Sequence, residues 1–346
     1  MERLYPKLIL DALANVRYPG NGKNIVECDM VEDDIRIDGM KVSFSLIFDK
    51  PTDPFIKSVV RAAEVAINTY ISPEVEIKGN ISVKTRMAMP APAPKMLPGV
   101  KNIIGVSSGK GGVGKSTVTG MLASSLAKKG YKVGVLDADI TGPSMPRFFG
   151  VNKQRARILA LDENTVKFVP VTTESGIKII SLNLVTQVEE EPVIWRGPVI
   201  NGVLNQFYVD TEWGELDYLL IDMPPGTGDI ALTVMQDFPI NELIVVSTPQ
   251  DMVSMIVKKV VIMAQKMGVK IKGVVENMSY ITCEGCGKKT RVFSKKSAEE
   301  NAEYLGIPLI GELPIDLDFT EALEQGKAEQ YVIDSPLYSL IFEGLY

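Results

Sequence analysis

Gly109-Lys110-Gly111-Gly112-Val113-Gly114-Lys115-Ser116-Thr117, read GKGGVGKST, decides the fold of this chain. It follows an apolar run, NIIGVSS at 102–108, and opens a stretch of helical spacing from Ser116 to Lys129. That is the strand–loop–helix context in which G-x-x-x-x-G-K-[ST] cradles phosphate. The glycines let successive backbone N–H groups turn inward, the helix N-terminus adds positive potential, Lys115 reaches the β- and γ-phosphates, and Ser116 ligates Mg²⁺. Residues Gly109 to Thr117 are therefore expected to bind Mg-ATP.

Two segments further along complete such a site. LLIDMPPGTGD at 219–229 puts Asp222 at the end of an apolar strand, where a carboxylate holds Mg²⁺, and follows it with Pro224, Pro225, Gly226 and Gly228 as a γ-phosphate sensor. LDADITGPS at 136–144 puts Asp137 and Asp139 just past another strand end. Asp139 is the candidate for orienting the attacking water, with helix capping as the rival role for either aspartate. The chain has no histidine, so its chemistry rests on carboxylates, lysines, thiolates and backbone amides.

Around this site the apolar runs KVGVLDA, YLLIDMP and ELIVVSTP carry no polar alternation, as strands covered on both faces do. Helical segments such as Val253 to Met267 alternate with them. The expectation is an α/β fold, a doubly wound, mostly parallel sheet P-loop NTPase domain spanning 101–346. Residues 1–87 read as a small α+β domain: a helix, LILDALANV, a β-meander over Val26–Phe48, a helix from Lys57 to Tyr70, and a last strand in VEIKGNISVK. AMPAPAPKMLPGV at 88–100 is the Pro/Ala-rich linker between them.

The 346 residues suit two domains, and the 45% hydrophobic content can fill their cores. A net charge of −6 argues against nucleic acid as a partner. No apolar run is long enough to span a membrane, and MERLYPKLIL is unlike a secretory leader, so no membrane partner and a cytoplasmic location are expected.

Of three cysteines, Cys283 and Cys286 stand two residues apart in ITCEGCGKKTRVF, and Cys28 lies on an expected strand. Gly285 and Gly287 permit a tight knuckle whose N–H groups face the sulfurs, so the pair can grip one metal centre. A C-x-x-C alone fits half a zinc site, a redox dithiol or unligated thiols, and the redox option is discounted because this pair sits in a polar Gly/Lys loop and does not open a helix. Four thiolates hold a [4Fe–4S] or Cys₄ zinc centre, and a symmetric dimer would supply the second pair. The basic run KKTRVFSKK at 288–296 reads as a solvated face able to steer acidic proteins.

Lys110, directly after the first glycine, resembles the signature lysine of the deviant P-loop class that includes partitioning and septum-placement ATPases and nitrogenase reductase. In that class it reaches a partner subunit's nucleotide, which implies a homodimer and a catalytic role for Lys110 beside Lys115 and Asp139. GKGGVGKST, LDADITGPSMP, WRGP at 195–198, LLIDMPPGTGD, TPQD at 248–251 and ENMSY followed by CEGCG together resemble the Mrp/ApbC iron–sulfur cluster carriers over essentially the whole chain.

The resemblance implies a [4Fe-4S] cluster held between paired C-x-x-C motifs of a homodimer. The cluster comes from an upstream scaffold and goes to apo iron–sulfur client proteins, with ATP binding and hydrolysis needed for transfer. It also implies that Asn277 sits near the adenine, with turn stabilisation as the rival role. Trp195 and Arg196 in WRGP are candidates for lining the moving dimer interface, with core packing as the equal rival for the Trp. The N-terminal domain resembles the small domain of iron–sulfur assembly factors. Where those often have a cysteine before the helix, this chain has Asp53 in KPTDPFIK. The alternatives are a partitioning or septum-type regulatory ATPase and an ATPase with a structural zinc clip. The first would need a basic membrane helix, and YVIDSPLYSLIFEGLY contains no lysine or arginine.

Overall fold

The uniformly apolar runs become the inner strands of one sheet. The computed structural model describes residues 4–85, 96–160, 166–186, 195 and 197–346. The chain divides into two compact units, Met1–Pro92 and Ala93–Tyr346. Residues 88–95 of the expected linker and Arg196 lie outside the described residues, and Val100, its last residue, already begins a strand.

In the first unit α1 (Pro6–Leu13), β1 (Arg36–Asp38), β2 (Lys41–Phe48), α2 (Ile56–Tyr70) and β3 (Ile81–Thr85) follow in order. β1 and β2 form a hairpin, but β3 pairs parallel to β2, so the strands are joined through α2 and not as a meander. The expected strand over Val26–Asp34 is reduced to one bridge, Val31 to Leu46. The reason is local: Asp29 adopts φ +48 at a turn, and Asp34 accepts the Ser45 N–H and hydroxyl at 2.8 and 2.6 Å, ending any ladder there. Cys28 consequently lies in that turn and not on a strand, half-buried.

The second unit begins with β4 (Val100–Ser108), α3 (Lys115–Lys128), β5 (Val133–Asp137) and α4 (Met145–Phe148). A small ribbon, β6 (Arg157–Ala160) and β7 (Val166–Val169), leads to β8 (Val171–Thr172), β9 (Lys178–Ile180), α5 (Leu182–Val185) and α6 (Gly197–Val209). Then come β10 (Leu216–Asp222), α7 (Asp229–Asp237), β11 (Glu242–Ser247), α8 (Asp251–Lys266), β12 (Lys270–Thr282) and β13 (Lys289–Thr290). The chain continues with α9 (Ala298–Leu305), β14 (Leu309–Pro314), α10 (Leu317–Glu324), α11 (Ala328–Asp334) and α12 (Pro336–Ile341).

The sheet runs β13-β12-β11-β4-β10-β5-β9-β8, with β14 also on β12. All its ladders are parallel except β8 with β9 and β12 with β13. Leu219, Leu220 and Ile221 of β10 are fully buried, and each contributes about 1.5–3 kcal/mol by leaving water. That burial anchors the strand whose last residue is Asp222.

α3 lies close against its neighbours because Gly120 has no side chain. A Cβ there would stand 2.5 Å from two ring carbons of Phe148, itself buried against Phe149 and Phe319. Gly120→Ala gains about 1 kcal/mol of helix propensity but overpacks this contact at a cost of about 1–3 kcal/mol. The expected outcome is a lower urea midpoint at unchanged m-value, restored when Phe148→Leu is added. A raised midpoint for Gly120→Ala alone would refute the packing account.

Candidate functional site

The loop between β4 and α3 turns on Gly112 and Gly114, at φ +80 and +84, a conformation that side chains oppose. Gly109 is required for another reason: a Cβ would lie 2.7 Å from the backbone nitrogen of Val257 in α8. The loop borders a cavity of about 400 Å³ lined also by Lys110, Thr117, Asp139, Thr141 and Pro225. Gly226 donates its N–H to the Ser108 carbonyl at 2.8 Å, which docks the segment after β10 onto the strand that leads into the loop.

Beneath the loop, Asp137 and Asp222 end adjacent strands in register, and both are fully buried. Asp222 accepts hydrogen bonds from Ser116 Oγ at 2.6 Å and Thr119 Oγ1 at 2.8 Å. Lys115 Nζ lies 2.8 Å from Asp222 and 3.6 Å from Asp139. Burial alone would lower the lysine pKa, but Asp222 and then Asp139 outweigh it and raise it. Asp137 is pushed up to about 8, by burial first and by the Asp222 charge second.

Asp222, Asp139 and the adjoining Asp137 thus surround one ammonium, with Asp137 and Asp222 closed off from water and Asp139 open to the cavity. Their hard oxygen donors and surplus negative charge, with the Ser116 hydroxyl, fit Mg²⁺.

Asp137 also organises the next segment. It accepts the N–H of Asp139 at 3.2 Å, the N–H of Met145 at the start of α4 at 3.3 Å, and the Ser181 hydroxyl at 3.0 Å. Asp139 is left facing the cavity, its Oδ1 3.1 Å from Thr141 Oγ1. Lys110 is exposed, its Nζ 3.5 Å from Gln250 Oε1. Asn277 is buried and donates its amide to the Val113 carbonyl at 3.0 Å. A Cβ on Gly114 would stand 2.1 Å from that same amide nitrogen. Asn277 therefore braces the loop directly.

β12 runs parallel to β11, and β11 to β4, so its carboxyl end leaves the sheet at the same edge as the phosphate loop. There it pairs with β13 through Ile281–Thr290 and Thr282–Lys289, and the hairpin tip carries Cys283 and Cys286, both exposed. The Cys283 N–H donates to Lys288 O at 3.0 Å, and Gly287, at φ +70, donates to Cys283 O at 2.8 Å. The Cys283 thiol pKa is lowered by the Cys286 N–H, then the Cys286 side chain, then the Gly285 N–H. This is the expected knuckle, with amides stabilising a thiolate.

Thr119 and Ser181 were not singled out in the sequence. Thr119 had a signal, since it follows Ser116 by one helical turn on the same face. Ser181 reaches Asp137 across 44 positions, which no local pattern reveals. Trp195 is 40% exposed.

The model of the NUBPL iron-transfer P-loop NTPase matches residues 99–341, and that of an iron-sulfur cluster assembly protein matches 7–83. An iron-sulfur cluster carrier protein of Clostridium perfringens is 76% identical over 249 residues, 71% of this chain and 87% of that relative. One of Synechocystis is 38% identical over 320 residues, 92% of this chain and 89% of the relative. A solved nucleotide-binding protein of Archaeoglobus fulgidus, in complex with ADP, superposes at a TM-score of 0.59 with 42% identity, covering 69% of this chain and 90% of that one. With its phosphate loop, its buried aspartates and a match spanning most of its length, the chain belongs to the NUBPL iron-transfer P-loop NTPase family.

Proposed function

We propose that this chain is an ATP-hydrolysing iron–sulfur cluster carrier, which takes a labile [4Fe-4S] cluster as cargo on Cys283 and Cys286 and delivers it to apoproteins. The observation that carries the reading is the exposed C-x-x-C hairpin emerging at the same sheet edge as the phosphate loop. The family and the names of its relatives support it. Each chain offers two adjacent thiolates, so a four-thiolate site takes two copies about a two-fold axis, and the carrier is a homodimer. An upstream scaffold supplies the cluster.

In the ATPase step Lys115 leaves Asp222 for the β- and γ-phosphate oxygens, and the N–H groups of Gly111 to Thr117 hold the phosphate chain. Ser116 and Asp222 would hold Mg²⁺, which would supply neutralisation of the charge that develops on those oxygens. Asp137 keeps the segment around Asp139 in place, and Asp139 orients the attacking water and takes its proton. Lys110 reaches across the two-fold axis to the partner subunit's nucleotide. Asn277 sits beside the adenine end of the nucleotide while it braces the loop.

Asp139→Asn is expected to lower kcat for ATP hydrolysis about 10²–10⁴-fold while Mg-ATP still binds, and Lys115→Ala is expected to abolish both. Full activity in Asp139→Asn would remove it from the catalytic role. Anaerobic reconstitution tests the cargo: wild type should gain about four iron and four sulfide per dimer, and Cys283→Ala/Cys286→Ala none, with its ATPase retained. If wild type keeps zinc and refuses a cluster while hydrolysing ATP, the carrier reading fails.

A further inference from the structure

The phosphate loop and the cysteine hairpin are joined by an unbroken set of contacts along β12. Asn277 bonds the loop at Val113 and touches Gly114. The next residue, Met278, has φ +55, a left-handed conformation uncommon for a side chain this large, and donates its N–H to Asn277 Oδ1 at 2.9 Å. The β12–β14 ladder breaks at this point, between Glu276 and Tyr280. β12 therefore shifts register against β14 between Glu276 and Tyr280, where Tyr280 pairs again with Pro314 and its carbonyl accepts the Ile315 N–H at 2.8 Å, and the shift makes a joint at Met278 before the hairpin arm.

Arg291, on the hairpin's returning side, spans that joint. Its guanidinium donates to Glu312 Oε1 of β14 at 2.6 Å and to Ser279 Oγ at 3.0 Å, and lies 3.6 Å from Glu276 Oε1. Glu276 is buried and is held in turn by Ser279 Oγ at 2.8 Å and Asn301 Nδ2 at 2.6 Å. The fork of one arginine thus ties the hairpin to the part of β12 that carries Glu276 and Asn277, a geometry a point-charge lysine does not reproduce.

We infer that Arg291 is a positioning residue that couples nucleotide occupancy of the phosphate loop to the setting of Cys283 and Cys286, by making the hairpin arm follow Asn277 across the joint at Met278. The inference rests on the carrier reading only for its use. The coupling itself concerns the loop and the thiols of the cluster-free protein.

The experiment measures iodoacetamide alkylation of Cys283 and Cys286 in the full-length, cluster-free protein. Peptide mass spectrometry separates these two from Cys28, with and without Mg-ADP or a non-hydrolysable ATP analogue. Wild type should change its alkylation rate by about 5-fold or more on nucleotide binding. Arg291→Met should bind nucleotide as wild type does and lose that change, and Arg291→Lys should retain part of it.

If Arg291→Met misfolds by circular dichroism, Glu312→Gln, which weakens the same fork from β14, serves instead and should show a reduced nucleotide response. Unaltered nucleotide-dependent alkylation in the folded variant overturns the inference, as does a wild type whose thiols ignore nucleotide. A wild type that responds to nucleotide but refuses a cluster leaves the coupling standing and sinks the carrier reading alone.

Discussion

Asp137 and Asp222 stand side by side at the ends of neighbouring strands, fully buried, with Asp139 nearby and the single ammonium of Lys115 to offset them. Burying like charges together is costly, and the site meets the cost in two ways. One is protonation, visible in the raised pKa of Asp137. The other is donors: hydroxyls of Ser116, Thr119 and Ser181, and the N–H groups of Asp139 and Met145, surround the two carboxylates. A divalent cation would complete a charge balance that the protein alone leaves unfinished. The depth of the apolar strands under Asp222 keeps water from finishing it instead.

That constraint explains the local geometry of the loops. Because Asp137 is occupied by backbone N–H groups from the segment after β5, the chain from Ala138 to Met145 is pinned at both ends and presents Asp139 to the cavity. Because Gly226 is bonded to Ser108, the segment after β10 is held against the loop that cradles phosphate. Both segments are attached to the carboxylates or to the strand beside them. A change in charge at Asp137 therefore reaches the segment that carries Asp139 through a single hydrogen bond.

Much of this was legible in the sequence, for a physical reason. GKGGVGKST works through backbone conformation and helix position, so its residues are fixed by local rules, and the buried parallel strands announce themselves by lacking polar alternation. The cysteine knuckle was equally local. What escaped reading depended on distant pairing. The N-terminal strands read as a meander because apolar and polar residues alternate over Val26–Phe48, whereas Asp34 spends its carboxylate on Ser45 and closes the ladder. Ser181 on Asp137 and Arg291 on Glu312 are contacts between elements far apart in the chain or across a ladder. Residue type at those positions gave no signal. Asn277 was singled out for the nucleotide, and the structure adds that it holds the loop's own backbone.

The cysteines stand at the tip of a two-residue ladder at the edge of the sheet, with exposed residues from Ile281 through Lys289 around them. None of the hydrophobic core passes through that tip. The hairpin tip is thus separate from the part of the molecule that keeps it folded. Sequence drift at the tip is cheap, whereas drift beneath the phosphate loop is not. A lineage can rewrite a handful of surface positions at the hairpin tip while the core behind it stays the same.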